Sequence, residues 1–578
     1  MKSLPKNSRT SVLASVIFFC FAAIVVRLFW LQVIESAKYK SLANNEQMKQ
    51  YEIPASRGLI YAKDGKQLTK LVMNETVYTL FVDPQEYNQK KKAEIIETLR
   101  AVAGGNLVDN FEKLFEEDNR YQVLGRKLSR TQAEKIKAKK FAGIGFTAET
   151  QRVYPEDGLA AQILGFVNTN GGNYGVEAAF NKELTGTNGS LKTTTDVFGN
   201  SLMVGDEDID IPAKNGKDIV LSVDRNIQAY VEKTLQAKLT EMGVKNGSVV
   251  VMDPNSGKIM AMANYPSYKP AEYAKVKDAA VFNNNTTMMA FENGSVIKSL
   301  TMAMGINEGV ASASGTYYNT DSVRVEDRTI KNAVLGHTGQ IPFQTAMNYS
   351  LNTGMVTIAQ RLGGGSITKS ARQKMYDYYH NRFGLGKQTG IEITESPGII
   401  ISPDEVEGNS VRYSNMSFGH GMDTTMVQTT SAFSSIINGG TLYQPSLIAG
   451  EINSSDHQFQ EKASSVSVRD VVSESTSQQM RDILVMARNS VNKPNDLAGY
   501  RVGGKTGTSE TLINGKYVLN QTIGSYLGFG GNNSPKFVIM VSAWSEGQNI
   551  QGNIHAQPIS TEISNWMLNY LKVKPGGN

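Results

Sequence analysis

Apolar and polar positions divide the chain into three stretches of different texture. Residues 10–26 carry no charge, and after Arg27 the apolar character resumes through residues 28–34. The 24 residues from Thr10 to Val33 make a helix of about 36 Å. That length spans a hydrocarbon core of about 30 Å with some tilt. A cleaved leader has a shorter apolar region ending in a small-x-small site, which Val25-Val26-Arg27-Leu28 is not. Phe18-Phe19-Cys20 lacks the small residue expected before a lipid-modified cysteine. The pattern therefore predicts one uncleaved transmembrane helix over residues 10–34. Lys2, Lys6 and Arg9 precede it with no acid among them, which favours a cytoplasmic N-terminus of residues 1–9 and an extracytoplasmic bulk. Arg27 falls near the outer interface, where it can snorkel beside Trp30 or pair with a partner's helix.

Residues 35–215 mix short strands and helices without long apolar runs. Residues 53–61 read as strand and turn, 93–102 and 130–139 as solvated helices, 169–173 as a loop and 190–195 as a strand. Residues 205–216 are acidic and read as a linker. From Asp218 the texture changes. Residues 219–223 form a strand, and Ile227, Val231, Leu235 and Leu239 recur at helical spacing, predicting an amphipathic helix over 226–242. Residues 248–252 and 258–262 flank a turn and read as a hairpin. Residues 523–529 and 536–544 are strands, and 561–573 a closing helix. Strands at both ends with helix-rich sequence between predict an α+β domain whose sheet collects distant segments. No internal repeat recurs at a fixed period.

Composition narrows the classes. A chain of 578 residues has room for roughly three or four domains. Its 59 Lys+Arg against 54 Asp+Glu leave no concentrated basic character, which argues against a dedicated nucleic-acid binder. One cysteine excludes an intramolecular disulfide framework and any Cys-based metal site, and Cys20 falls inside the span. His337, His380, His420, His457 and His555 are scattered, with no ligand spacing. No metal and no cofactor are expected.

Three short motifs could carry chemistry. In Ser295-Val-Ile-Lys298, serine and lysine three residues apart share a helix face. A lysine neutralised by burial could take the serine's proton, and a helix N-terminus offers free N–H groups to an oxyanion. By itself the motif equally fits a serine cap beside a surface lysine. Ser350-Leu351-Asn352, between helical segments 341–349 and 355–362, can relay a proton and bind an amide, or be a simple loop. Lys505, Thr506, Gly507 and Thr508 on a strand edge would cradle a carboxylate and an amide. Residues 499–506 also fit the phosphate-loop pattern, which needs a following helix. The hairpin signal Asn514-Gly515 follows instead, so strand and hairpin are expected.

The motifs occur in the order S-x-x-K, S-x-N, K-T-G, 55 residues apart (295 to 350) and then 155 (350 to 505). This is the signature set of serine penicillin-recognising enzymes. Over nearly its whole length the chain resembles a class B penicillin-binding protein, most like the division-type septal peptidoglycan D,D-transpeptidase. Residues 27–32 look like the family's membrane-exit segment. Arg57-Gly58-Leu59-Ile60-Tyr61 and Asp64-Gly65 look like the opening of its pedestal. Arg152, Tyr154, Pro155, Gly165, Gly175 and Glu177 match later pedestal motifs. Phe418-Gly-His-Gly421, Gln428 and Asn438-Gly-Gly440 match the transpeptidase domain. The match is imperfect near Ala178-Ala179. Asn293 also departs, standing where the family usually has proline; asparagine still permits a turn, so activity is expected to survive.

The resemblance implies a penicillin-binding transpeptidase fold of α+β class, an antiparallel sheet covered by helices. It would follow a non-catalytic, dimerisation-type pedestal (35–215) and occupy residues 216–573, with a tail at 574–578. It implies that Ser295 forms the acyl-enzyme, Lys298 activates it, Ser350 passes the proton to the leaving amine and Asn352 holds the substrate amide. Lys505 would support the electrostatics, with Thr506, Gly507 and Thr508 in the substrate site and the N–H groups of Ser295 and Thr508 as oxyanion hole. Implied partners are stem peptides ending in D-Ala-D-Ala, β-lactams, and a multi-spanning lipid II glycosyltransferase with other divisome membrane proteins. An elongation-type transpeptidase, a β-lactam sensor or β-lactamase on the same fold, and a scaffold with a decayed site are the competing readings. A 180-residue module ahead of the site disfavours the hydrolase, a single span the sensor, and three intact motifs the scaffold.

Overall fold

The computed structural model describes residues 6–39, 48–194, 209–453, 456–491, 494–513 and 516–576. Lys2, the first part of the acidic linker (205–208), the turn at Asn514-Gly515 and the last two residues of the tail lie outside them. The chain forms two compact units, residues 1–57 with 185–216, and residues 58–184 with 217–578.

In the first unit, helix Lys6–Phe29 runs on through a wider turn, Trp30–Ile34. Residues Arg9–Ile34 are long and apolar enough to cross a membrane, and side chains such as Phe18, Phe19 and Val26 are exposed. A three-stranded antiparallel sheet, in the order Met48–Ile53, Gly189–Thr194, Ile209–Ile211, completes the unit. Part of the expected linker is thus an edge strand. Its pairing uses backbone groups, which side-chain polarity does not report.

The second unit holds two large sheets. One has seven strands, running Phe459–Glu461, Ile448–Ile452, Asp218–Asp224, Ile60–Asp64, Gln67–Val82 and Gln122–Leu128, with Ile144–Val153 also on Gln67–Val82. Strands on either side of the expected 215/216 boundary pair directly and in parallel, Ile60–Asp64 with Asp218–Asp224. Helices Lys92–Ala103 and Arg130–Lys137 cover the far end over a small core that includes Leu80, Ile95, Leu99 and Leu124.

The other sheet is antiparallel and five-stranded, in the order Ile259–Tyr265, Asn246–Met252, Pro535–Trp544, Lys516–Gly531, Arg501–Ile513. Successive strand side chains point to opposite faces. Val249 and Val251 therefore pack with Ile227, Val231, Leu235, Ile559 and Ile563 of helices Arg225–Glu241 and Gln557–Tyr570. Val250 and Met252 face the other way, into the large core that contains helix Lys298–Asn307. That helix is buried at every position from Lys298 to Ile306, so it sits between the sheet and an outer layer of helices. Asp224 caps Arg225–Glu241 by accepting from Asn226 N–H at 2.9 Å and Ile227 N–H at 3.1 Å.

Candidate active site

Three segments distant in sequence meet at the start of helix Lys298–Asn307. The first is Gly294–Ile297, a 3-10 turn rather than the opening of the α-helix itself. Gly294 has φ +63°, and a Cβ there would stand 2.8 Å from Thr508 O. The left-handed glycine thus lets the turn lie against strand Arg501–Ile513. Gly507 permits the same approach from the strand side, where a Cβ would meet Ser525 Oγ at 2.3 Å and Asn293 O at 2.7 Å. Ser525 Oγ donates to Asn293 O at 3.1 Å. Asn293 has φ −71°, a backbone proline could adopt. Its side-chain Nδ2 additionally donates to Thr424 Oγ1 at 2.6 Å and Thr424 O at 2.9 Å. The departure from proline therefore ties the turn to the segment before helix Met426–Ser435.

Ser295 is half-buried, whereas Lys298 is fully buried. Lys298 Nζ donates to Ser350 O at 2.5 Å and to Ser350 Oγ at 3.1 Å. Ser350 has φ +58°, a conformation that costs a residue with a Cβ about 1–3 kcal/mol. It joins helices Phe343–Asn348 and Asn352–Arg361 while both of its oxygens meet Lys298. Asn352 starts the second helix, and its Nδ2 donates to Lys331 O at 2.8 Å. What Asn352 can offer a substrate N–H is its amide oxygen.

The third segment is Arg501–Ile513, the edge of the five-stranded sheet. An edge strand presents unpaired N–H and C=O groups to which an extended peptide can add. Lys505 is buried, and its Nζ donates to Thr506 O at 3.2 Å. Thr506 is half-buried and Thr508 exposed, with Thr508 Oγ1 accepting from Gly552 N–H at 3.2 Å. The strand runs on without a helix after the lysine, which removes the phosphate-loop alternative.

Burial controls the electrostatics. It holds Lys298 well below the ordinary lysine range, with the charge of Lys505 as a second cause. It also brings Lys505 down to about 8. A cavity of about 340 Å³ adjoins the site, lined by Ser350, Lys505 and Thr506 and floored by Arg488 and Tyr526. Arg488 contacts Tyr526 Oη and pairs with Asp496 at 2.6 Å. A larger recess of about 680 Å³, around residues 388–395, contains none of the motif residues.

The three motif segments thus meet: the Ser295 turn lies against the Thr508 strand and Lys298 bonds Ser350, while the Asn352 amide donates to Lys331 O. Sequence reasoning missed Glu292, buried and 3.3 Å from His420 Nδ1, the anchoring by Asn293, and Arg488. Nothing in their spacing marks them: Glu292 and Asn293 bond residues 129 and 131 positions away, and Arg488 meets Tyr526 across 38. Among the described residues, no group of three His, Cys, Asp or Glu stands together as a metal site.

A buried lysine that follows Ser295 by three residues and bonds Ser350, beside an edge strand bearing Lys-Thr-Gly, fits the motif set of the penicillin-recognising serine acyltransferases. The profile of the penicillin-binding protein transpeptidase domain matches residues 247–565, and that of the penicillin-binding protein dimerisation domain matches residues 52–221. The chain belongs to the class B penicillin-binding proteins, in which a dimerisation domain precedes the transpeptidase domain. It is a serine-type peptidoglycan D,D-transpeptidase. It is 30% identical to stage V sporulation protein D of Bacillus subtilis over 96% of this chain and 85% of that protein. It is 26% identical to peptidoglycan D,D-transpeptidase FtsI of Escherichia coli over 98% of this chain and 92% of that protein. Its fold matches the crystal structure of penicillin binding protein 2X from Streptococcus thermophilus with a TM-score of 0.75. That match covers 90% of this chain and 80% of the other at 20% identity.

Proposed function

We propose that the chain is a single-pass membrane enzyme that cross-links stem peptides at the division septum, with residues 1–9 cytoplasmic and the catalytic part outside. Residues 35–215 serve as its pedestal and 216–573 as its transpeptidase domain. The contact of Lys298 Nζ with Ser350 Oγ at 3.1 Å carries the reading, because it puts a base kept neutral by burial beside a proton relay. Ser295 Oγ attacks the carbonyl carbon of the penultimate D-Ala, and its proton passes to Lys298. The N–H groups of Ser295 and Thr508 hold the oxyanion, Thr506 and Thr508 bind the terminal carboxylate, and Lys505 supports the electrostatics. Collapse breaks the C–N bond, and the proton leaves through Ser350 on the amine of D-Ala. Asn352 holds the substrate amide, and an amine of a second stem peptide then displaces Ser295, which recovers its proton. A β-lactam acylates Ser295 by the same attack but retains its leaving group in the ring-opened adduct.

Division is favoured by the likeness to FtsI, and a role in sporulation by the likeness to stage V sporulation protein D. A multi-spanning lipid II polymerase is the expected partner of the anchor. The detergent-solubilised full chain should label covalently with fluorescent penicillin and the label should vanish in Ser295→Ala. No label on the wild type sinks the reading. A fluorescent fusion at midcell supports division, whereas sidewall or forespore placement overturns it.

A further inference from the structure

Glu292, only 5% exposed, lies three residues before Ser295 and has no part in that chemistry. Its Oε1 accepts from Gly421 N–H at 2.6 Å and from Tyr517 O–H at 3.1 Å. Its Oε2 faces His420 Nδ1 at 3.3 Å and makes no hydrogen bond. These partners come from two places. Gly421 and His420 belong to the glycine-rich loop after helix Ser410–Met416, and Tyr517 to the start of strand Lys516–Gly531. The backbone supports the same junction. Gly294 N–H donates to Gly419 O at 3.1 Å, and Phe291 and Thr424 exchange hydrogen bonds at 3.1 and 3.3 Å.

We propose that Glu292 is a positioning residue for acyl transfer, clamping the Ser295 turn to the His420 loop through Gly421 N–H and to the Tyr517 strand through the tyrosine hydroxyl, with His420 facing the second carboxylate oxygen. The inference rests on the acyl-enzyme reading above. A carboxylate suits this junction because one oxygen can accept two hydrogen bonds while the other meets the imidazole. Lost clamping would let the nucleophile drift, and small misplacements at a reacting centre are costly in rate.

Burial dominates the electrostatics of the clamp. Burial raises the Glu292 pKa, with Glu510 adding to the rise and Arg412 opposing it. Burial lowers His420 to about 4, helped by the charge of Lys298 and opposed by Glu510. Asp423, raised to about 6 by burial and then by the Glu292 charge, also faces the pair, as does Tyr517, raised by burial.

Stopped-flow acylation of the full chain by fluorescent penicillin separates binding from acylation. Glu292→Ala should slow the acylation step about tenfold or more with little change in the penicillin Kd. Glu292→Gln, which keeps an acceptor for Gly421 and Tyr517, should recover most of that rate. Tyr517→Phe, at an exposed position, should slow it about 2–5-fold, as for one hydrogen bond, without altering thermal melting. Should Glu292→Ala fail to fold, the latter two variants decide. Wild-type acylation rates in Glu292→Ala or Tyr517→Phe, with Ser295→Ala unlabelled, overturn the clamp alone. A loss confined to penicillin affinity also overturns it. Absence of label on the wild type overturns the acyl-enzyme reading instead.

Discussion

Two buried cations in the second unit resolve the same physical problem in opposite ways. Arg152, on strand Ile144–Val153, pairs with the wholly buried Glu177 at 2.8 Å and donates to Asn74 Oδ1 at 2.7 Å. Lys298, wholly buried, meets the neutral oxygens of Ser350. A buried charge must be paired or neutralised. The arginine cannot lose its proton, so the fold supplies a carboxylate and the pair is architectural. The lysine can, so burial without a carboxylate partner turns it into a base. Burial of a cation thus marks structure where a counter-ion is provided and chemistry where one is withheld.

The strongest test of this contrast is Lys298→Met. Acylation by penicillin should fall by about 10²–10⁴-fold, the range for a lost general base, while the melting temperature holds or rises. The folded-state pKa of Lys298 lies below its unfolded value, so unfolding takes up a proton. Its contribution to stability therefore falls as pH drops below the unfolded value of about 10.4. The methionine variant should gain most over wild type towards the acid end. A large loss of stability would mean that Lys298 is structural, and the comparison would break.

Glu177→Ala is the converse experiment. Stripping the partner from a buried cation costs about 3–5 kcal/mol, read by denaturant unfolding. The acylation rate of the folded fraction should not change. A slower rate constant would show that the pair also shapes the site. A third measurement uses pH. With Lys298 neutral and Lys505 protonated in the active form, acylation should fall in acid as Lys298 gains its proton. It should also fall in alkali as Lys505 loses its own near about 8. Lys505→Arg should remove the alkaline limb, since arginine stays charged. A limb that stays in place would assign it to another group. The smallest effect belongs to Asn293→Pro. The backbone accepts proline, but Thr424 loses its donor, so about 1–3 kcal/mol of stability should go with acylation largely kept.

Much of the architecture was legible along the chain because it follows from local periodicity. Ile227, Val231, Leu235 and Leu239 announce a helix that the sheet then buries, and residues 10–34 announce a span by length alone. The chemistry was legible as an ordered set of residue types. Legibility failed where backbone pairing or tertiary contact decides. Residues Ile209–Ile211, inside a stretch that reads as a linker, pair as an edge strand through their backbone, and Ser295 sits in a 3-10 turn beside Gly294, which passes close to Thr508. Glu292 was silent because its partners lie 129 and 225 residues away.

By itself, then, the sequence determined which groups exist and in what order, from Ser295-Lys298 through Ser350-Asn352 to Lys505-Thr508, and where a helix long and apolar enough to cross a membrane falls. These depend on residue identity and short-range spacing. The tertiary structure alone decided that Lys298 is dehydrated, that Ser350 turns both oxygens to it, and that the edge strand lies open beside Ser295. Those properties belong to desolvation and to contacts across 52 to more than 200 residues, which no local pattern encodes.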